Sequence, residues 1–298
     1  FTYELPSLTV LYCSNNELTS LDVSQLTTLK ELDFGENNIT SIDISMLVNL
    51  EQLRTTNNAI GSIDLTPFPN LTSLKCYGCG LSSLDLSPCP GLRLIQCGSN
   101  NLTTLDVSML SEVWYLQCNV APLTSIDVSM LPDLRNLDVG FTEITTLDVS
   151  SNPKMVELRA NYAPNLTSIF MKNGKNESLN INQSPNVAYI CADDSQIETV
   201  QSQLNGWNMN AVCNSYCTFA PGGNYNTISG QVTFDADSNG CGSGDFTFPL
   251  VKFKINDGAQ DLGSSASNAL GGYTFYTPLL QNNIIPDIEN PSWFNFSP

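Results

Sequence analysis

From Leu8 the chain repeats one pattern at an interval of 21 residues, opening again at Leu29, Leu50, Leu71, Leu92, Val113, Leu134 and Met155. A period of this length constrains the fold more than any other feature. A unit so short cannot bury its own apolar face and must stack against its copies. With Leu8 as position 1, positions 1, 4 and 6 are apolar while the residues between them vary, as in a strand with one buried face. Positions 11, 14 and 16, which are Leu18, Leu21 and Val23 in the first copy, mark a second short extended segment.

The pattern L-x-x-L-x-(Cys/apolar)-x-x-N-x-L-T-S-L-D-V-S is that of a leucine-rich repeat. The expected fold is mostly β: a right-handed solenoid with irregular or 3₁₀ turns, followed by a small β-sandwich. Eight strands at roughly 4.8 Å each give about 40 Å of parallel concave sheet. Position 9 carries Asn16, Asn37, Asn58 and Asn100, whose amides can bond the turn backbone of the next copy. Position 19 supplies a convex plug (Leu26, Leu47, Phe68, Cys89, Leu110, Leu131), and the back has room only for short strands or 3₁₀ turns. The eighth copy is irregular, KNGKNES after Met171 breaks the repeat, and LNINQSPN at Leu179 reads as a last echo of LDVSxxP. The expected domains are a solenoid over 1–171, its cap over 172–218 and a β-sandwich module over 219–298.

Acidic residues outnumber basic ones 29 to 11, a formal charge of -18, which disfavours nucleic acid and anionic lipid as partners. The absence of histidine excludes histidine general bases, Ser-His-Asp triads and histidine metal sites. No apolar run approaches the roughly 20 residues of a membrane span, and no secretory leader opens the chain. Because the first copy starts so close to Phe1 and a solenoid needs a polar terminal cap, the chain is expected to be a piece of a longer one, and a monomer.

Position 6 holds Cys13, Cys76, Cys97 and Cys118, where free cysteine serves as a small buried apolar residue. These positions resemble the cysteine-type repeats of the internalins over about 170 residues. That resemblance implies a surface-exposed bacterial adhesin, and with it a secreted or cell-surface location; it transfers no ligand. Cys191, Cys213, Cys217 and Cys241 lie outside the repeat and are disulfide candidates. Three connectivities are open, with Cys191–Cys217 preferred because it ties the end of the coil to its cap. A zinc site at Cys213 and Cys217 lacks a second pair and any histidine.

The stretch Val187–Tyr216 reads as a strand and then an amphipathic cap helix near Ser195–Leu204, with Ile197, Val200 and Leu204 on one face. Beyond the CTFAPGG linker, alternation in ISGQVTFDAD, LVKFKIND and GGYTFYTP indicates strands. Gly230, Val232, Asp235, Asp237, Asn239, Gly240, Gly272, Tyr273 and Phe275 resemble the B-type prealbumin-like modules of serine-aspartate-repeat adhesins. In that family the acidic loop binds calcium. Here Asp235, Asp237 and Asn239 put oxygens at loop positions 1, 3 and 5, Cys241 offers its carbonyl, and Asp245 stands one residue before Phe246, where a bidentate Glu belongs. The combination of repeats, cap, linker and module also resembles secreted surface proteins of flavobacterial type.

Two exposed surfaces remain as candidates for function. The concave columns present Tyr12, Asp33, Arg54, Lys75 and Arg159 at position 5, with Tyr77, Tyr115, Phe141 and Tyr162 beside them. Aromatic and arginine side chains are those that interface hot spots favour, so a protein or glycan ligand is expected there. Position 15 stacks Asp22, Asp43, Asp64, Asp85, Asp106, Asp127 and Asp148, whose repulsion of roughly 1–3 kcal/mol per pair must be offset by turn donors or cations. The alternatives to a non-enzymatic binding protein are a spacer in a larger surface protein, or a water-ordering surface built on Thr19, Thr40, Thr103, Thr124 and Thr145. Adjacent carboxylates such as Asp193 and Asp194 do not provide the cleft that glycosidase chemistry needs.

Overall fold

The structure, a computed structural model, describes residues 7–217, 226–235, 244–277 and 282–287. In chain order it holds β1 (Val10–Tyr12), β2 (Glu31–Asp33), β3 (Gln52–Arg54), β4 (Ser73–Lys75), β5 (Leu94–Gln96), β6 (Tyr115–Gln117), β7 (Asn136–Asp138), β8 (Thr146–Asp148), β9 (Glu157–Arg159), β10 (Ser168–Phe170) and β11 (Ser178–Asn180). Then come β12 (Tyr189–Cys191), α1 (Ile197–Gly206), β13 (Val212–Asn214), β14 (Asn226–Gln231), β15 (Thr233–Phe234), β16 (Phe246–Thr247), β17 (Lys252–Asn256), β18 (Asp261–Ala266), β19 (Gly272–Thr277) and β20 (Asn283–Pro286). These residues form two compact units: one holds the chain to Leu166 together with Glu177–Pro185, the other Thr167–Asn176 and the chain from Asn186.

The first unit is the leucine-rich solenoid. Its parallel sheet runs β1-β2-β3-β4-β5-β6-β7-β9-β11, and each residue pairs with the one 21 positions on, from Val10↔Glu31 to Glu157↔Ser178. Position 4 is the buried centre of each strand: Leu32, Leu53, Leu74, Ile95, Leu116, Leu137 and Leu158 are at most 1% exposed. The ninth strand revises the reading of Leu179. It pairs with Leu158 and so stands at position 4, not at position 14 of a broken copy. The copy was hidden because Asn176 stands where the other copies open on Leu, Val or Met; at the ladder position its Ser184 hydroxyl donates to Ala160 O at 2.8 Å and accepts from Ala163 N–H at 3.0 Å.

The Asn ladder is a backbone-satisfying device. Asn100 donates to Cys76 O, Cys97 O and Gly98 O at 2.8–3.1 Å and accepts from Cys79 N–H at 3.1 Å and Leu81 N–H at 2.9 Å. Asn58 and Asn37 repeat the arrangement two and three copies earlier. On the back, no strand forms between positions 16 and 1, and the chain there makes turns of the 3₁₀ type, each closed by an N–H to the carbonyl three residues back. Each copy there makes two successive single turns, Leu26 N–H to Val23 O and Leu29 N–H to Leu26 O in the first, because 21 residues leave length for nothing longer.

The second unit is built on one mixed sheet in the order β20-β17-β18-β13-β12-β10. β10, β12 and β13 pair in parallel, Ser168↔Tyr189 and Tyr189↔Val212, and β18 pairs antiparallel with β13 at Asn214↔Ser265. The sandwich strands are thus joined to the cap strands edge to edge. The β14–β19 ribbon packs on the far half of this sheet around Tyr216, Phe253, Ile255 and Phe275. Gly263 is required at the seam, since a Cβ there would stand 2.8 Å from Tyr216 N. Helix α1 buries Ile197, Val200 and Leu204, the face expected, together with Gln201.

Cys191 and Cys217 are bonded, with Cα atoms 5.2 Å apart. Cys213 is a correction to the candidate list: it is a buried free thiol. Register explains this. Cys213 pairs with Ile190 and Cys191 with Asn214, so alternation sends the two cysteines to opposite faces of the sheet. Cys241 lies outside the described residues.

Candidate functional site

The open face of the solenoid sheet is built by positions 3 and 5, which flank the buried position 4. Strand register sets Tyr12, Asp33, Arg54 and Lys75 side by side on β1 to β4. They border a shallow hollow of about 160 Å³ with Glu31, Gln52 and Ser73. Here charges are already partnered: Arg54 reaches Asp33 at 3.5 Å, and the Tyr12 hydroxyl donates to Glu31, which raises its pKa. Lys75 makes no salt bridge among the described residues.

Tyr115, Phe141, Arg159 and Tyr162 belong to a second group, on the sixth to eighth copies. Tyr115 and Arg159 lie on β6 and β9, with β7 between them. Arg159 is held by Glu157 at 2.7 Å, which raises the guanidinium pKa. Burial pushes the Asp138 carboxyl up, against the opposing pull of Gly140 N–H and Arg159. The Phe141 and Tyr162 rings are stacked, centroids 4.4 Å apart at 12°, and each side chain is about half exposed (49% and 47%). Tyr77 lies between the two groups, part-buried on the fourth copy. Strands β4 and β6 are about 10 Å apart at the usual strand spacing, so the nine predicted residues form two neighbouring patches.

The sequence reading missed what fixes the aromatic patch. Every residue at position 8 has positive φ: Asn15, Glu36, Asn57, Gly78, Ser99, Val120, Phe141, Tyr162 and Gln183, between 52° and 65°. The geometry is imposed by the coil, because the position 8 N–H donates to the position 7 carbonyl of the next copy, as in Phe141 N–H to Asn161 O at 2.8 Å. For Asn or Gly this conformation is easy, whereas a bulky L-residue there costs roughly 1–2 kcal/mol. Asn15, Asn57 and Gly78 were the signal that could have revealed it. Val120, Phe141 and Tyr162 accept the strain while exposed, and ring stacking offsets about 0.5–1.5 kcal/mol of it.

The Asp column at position 15 has a structural explanation. Each carboxylate accepts the backbone N–H two residues on at 2.9–3.0 Å, from Asp22 with Ser24 to Asp148 with Ser150. These bonds from Ser or Thr hold the carboxyls of Asp22, Asp43, Asp64, Asp85, Asp106 and Asp127 below their ordinary pKa. They open the back turns, and turn donors offset the repulsion.

In the second unit, Asp235 and Asp245 bracket the connection between β15 and β16, which pair at Phe234↔Phe246. Asp237, Asn239 and Cys241, the other proposed ligands, lie outside the described residues. Among the described residues no helix is long and apolar enough to cross a membrane.

A family model of leucine-rich repeats, two copies, matches residues 6–43. No curated protein matches the chain. Among solved structures, the chain is similar to the functional domain of InlJ from Listeria monocytogenes, described as including a cysteine ladder, at 19% identity over 92% of this chain and 81% of that one, TM-score 0.42. It is similar to the internalin InlF of the same organism at 20% identity, 63% and 62% coverage and TM-score 0.47. A leucine-rich repeat protein of Leptospira interrogans is similar at 19% identity, 70% and 67% coverage and TM-score 0.45.

Proposed function

We propose that the chain is a non-enzymatic recognition protein, secreted or held at a cell surface, that binds a protein or glycan through the open face of its solenoid in the manner of an adhesin. The observation that carries this is the Val120–Phe141–Tyr162 series: exposed apolar side chains kept in a strained backbone conformation where Asn or Gly would be more stable. Strain retained at an exposed site is understandable if the side chains themselves are selected. The charged hollow at Tyr12, Asp33, Arg54 and Lys75 supplies a second contact area, and the Cys191–Cys217 bond fits an oxidising compartment. The acidic charge disfavours nucleic acid. The domain limits 1–171, 172–218 and 219–298 are kept as the proposed division of labour among recognition, cap and stalk.

The test is a screen of the whole chain against protein and glycan arrays, repeated with Phe141→Asn/Tyr162→Asn, with Arg54→Ala/Arg159→Ala and with the back-face control Met109→Ser. Hits lost in the open-face variants and kept in the control support the reading. Hits that survive in every variant, or an array with no hits, refute it.

Calcium between β15 and β16 is a second proposal, motivated by the strand pair that holds Asp235 and Asp245 at the ends of one loop. Isothermal titration with calcium should show one site that Asp235→Asn removes. A flat titration rejects it.

A further inference from the structure

The third copy departs from its neighbours on the side away from the open face. Position 11 is fully buried in Ile39, Leu81, Leu102, Leu123 and Ile144, but Ile60 is partly exposed. Position 12, a Thr or Ser in most copies, is Gly61 at φ +68°, and a Cβ there would meet nothing within 4 Å. Between the second and third copies this opens a cavity of about 290 Å³ that reaches the solenoid core. Its floor is mainly apolar, with the fully buried Phe34 and Thr55 and with Ile42, Ile60 and Ile63. Its exposed rim carries Asp43 and Asp64 together with Ser41, Ser45 and Ser62.

That combination selects a ligand. The volume is near the lower end for small-molecule sites, about 300 Å³, and the floor is mostly hydrocarbon, since the hydroxyl of its buried Thr55 is already engaged with Cys79 Sγ at 3.2 Å. Asp43 uses one oxygen to accept Ser45 N–H at 3.0 Å and Ser45 Oγ–H at 2.7 Å, and Asp64 one oxygen to accept Thr66 N–H at 2.9 Å. Two carboxylates fixed by their turns repel an anion. A bare metal ion would demand more oxygen ligands than an apolar floor provides.

We propose that this cavity binds a primary ammonium group carried on an apolar chain of about four to six carbons, the chain against Phe34 and Ile60 and the ammonium between Asp43 and Asp64. The same chemistry is presented by a free alkylamine and by a lysine side chain of a partner. The site is separate from the open face, so it stands or falls independently of the recognition reading.

Calorimetric titration of the full chain with n-hexylammonium, n-hexanol and hexanoate tests it, with a capped Gly-Lys-Gly peptide to separate lysine from free amine. Hexylammonium should bind about tenfold or more tighter than hexanol, hexanoate should be silent, and Asp43→Asn/Asp64→Asn should lose about tenfold. Asparagine keeps the turn acceptor, so that variant folds. Ile60→Trp, which fills the cavity, should abolish binding. Peptide binding as well as amine binding assigns the site to lysine; amine binding alone assigns it to small amines. Equal binding of hexanol and hexylammonium, or binding retained in Ile60→Trp, overturns the proposal.

Discussion

Replacing Asn100 with alanine removes an amide that is 4% exposed and makes five hydrogen bonds to two copies of the repeat. The losses are unequal. Gly98 O keeps the Gly78 N–H at 3.0 Å, but the buried N–H groups of Cys79 and Leu81 lose the acceptor that the amide oxygen provides. At about 1–3 kcal/mol for each orphaned buried donor, the substitution should destabilise by roughly 3–5 kcal/mol. Asn16 is the internal control: it is exposed and bonds only Cys13 O and Ser14 O within its own turn, at 3.0 Å each. Asn16→Ala should therefore cost under about 1 kcal/mol. Urea denaturation followed by Trp114 fluorescence measures both. Because stacked repeats can open in parts, exchange protection of the Cys79 and Leu81 amides is the second readout. If the two variants differ by less than about 1 kcal/mol, or those amides stay protected in Asn100→Ala, the ladder is not the backbone-satisfying device described.

Acid should weaken the solenoid through its Asp column. The carboxyls that the Ser and Thr bonds hold low contribute stability above the unfolded carboxylate pKa, about 4, and lose it as pH falls through their lower folded values. Melting midpoints should drop below that pH, and less steeply in Asp85→Asn/Asp106→Asn; identical slopes would contradict the assignment. Thiol labelling of the native chain at mildly alkaline pH should modify Cys13, which is partly exposed, before Cys97 and Cys89, which burial pushes up to about 12 and about 11. Labelling of Cys97 at the same rate as Cys13 would refute the buried core role. Reducing Cys191–Cys217, which closes a sequence separation of 26, should remove roughly 3–4 kcal/mol from the second unit, seen as an earlier unfolding step.

The solenoid was legible because its determinants are periodic. Position 4 leucines, the Asn ladder and the Asp column each recur at one spacing, and stacking converts that spacing directly into contacts. The ninth copy escaped because the polar Asn176 replaces the apolar residue that opens every other copy, although Ser184 and Ile181 fill its ladder and core positions. The positive φ at position 8 was obscured by Val120, Phe141 and Tyr162, which contradict local preference. The cavity beside Ile60 depends on how far one copy stands from the next, a distance no single copy encodes. The edge pairing of β13 with β18 joins residues about fifty apart through serines such as Ser265, whose hydroxyl donates to Cys213 O at 2.7 Å. Nothing in a serine announces such a partner.

The constant register also bears on how such a chain can change length. Since residue n pairs with residue n + 21 along the sheet from β1 through β11, excising 71–91 would set Arg54 beside Gln96 and Asn58 beside Asn100, with every column still aligned. Removing one residue fewer would turn the next strand's apolar side outward. Heritable gain or loss of whole copies therefore lengthens or shortens the binding surface in steps of about 4.8 Å, and brings new pairs of side chains together without a new fold having to be found.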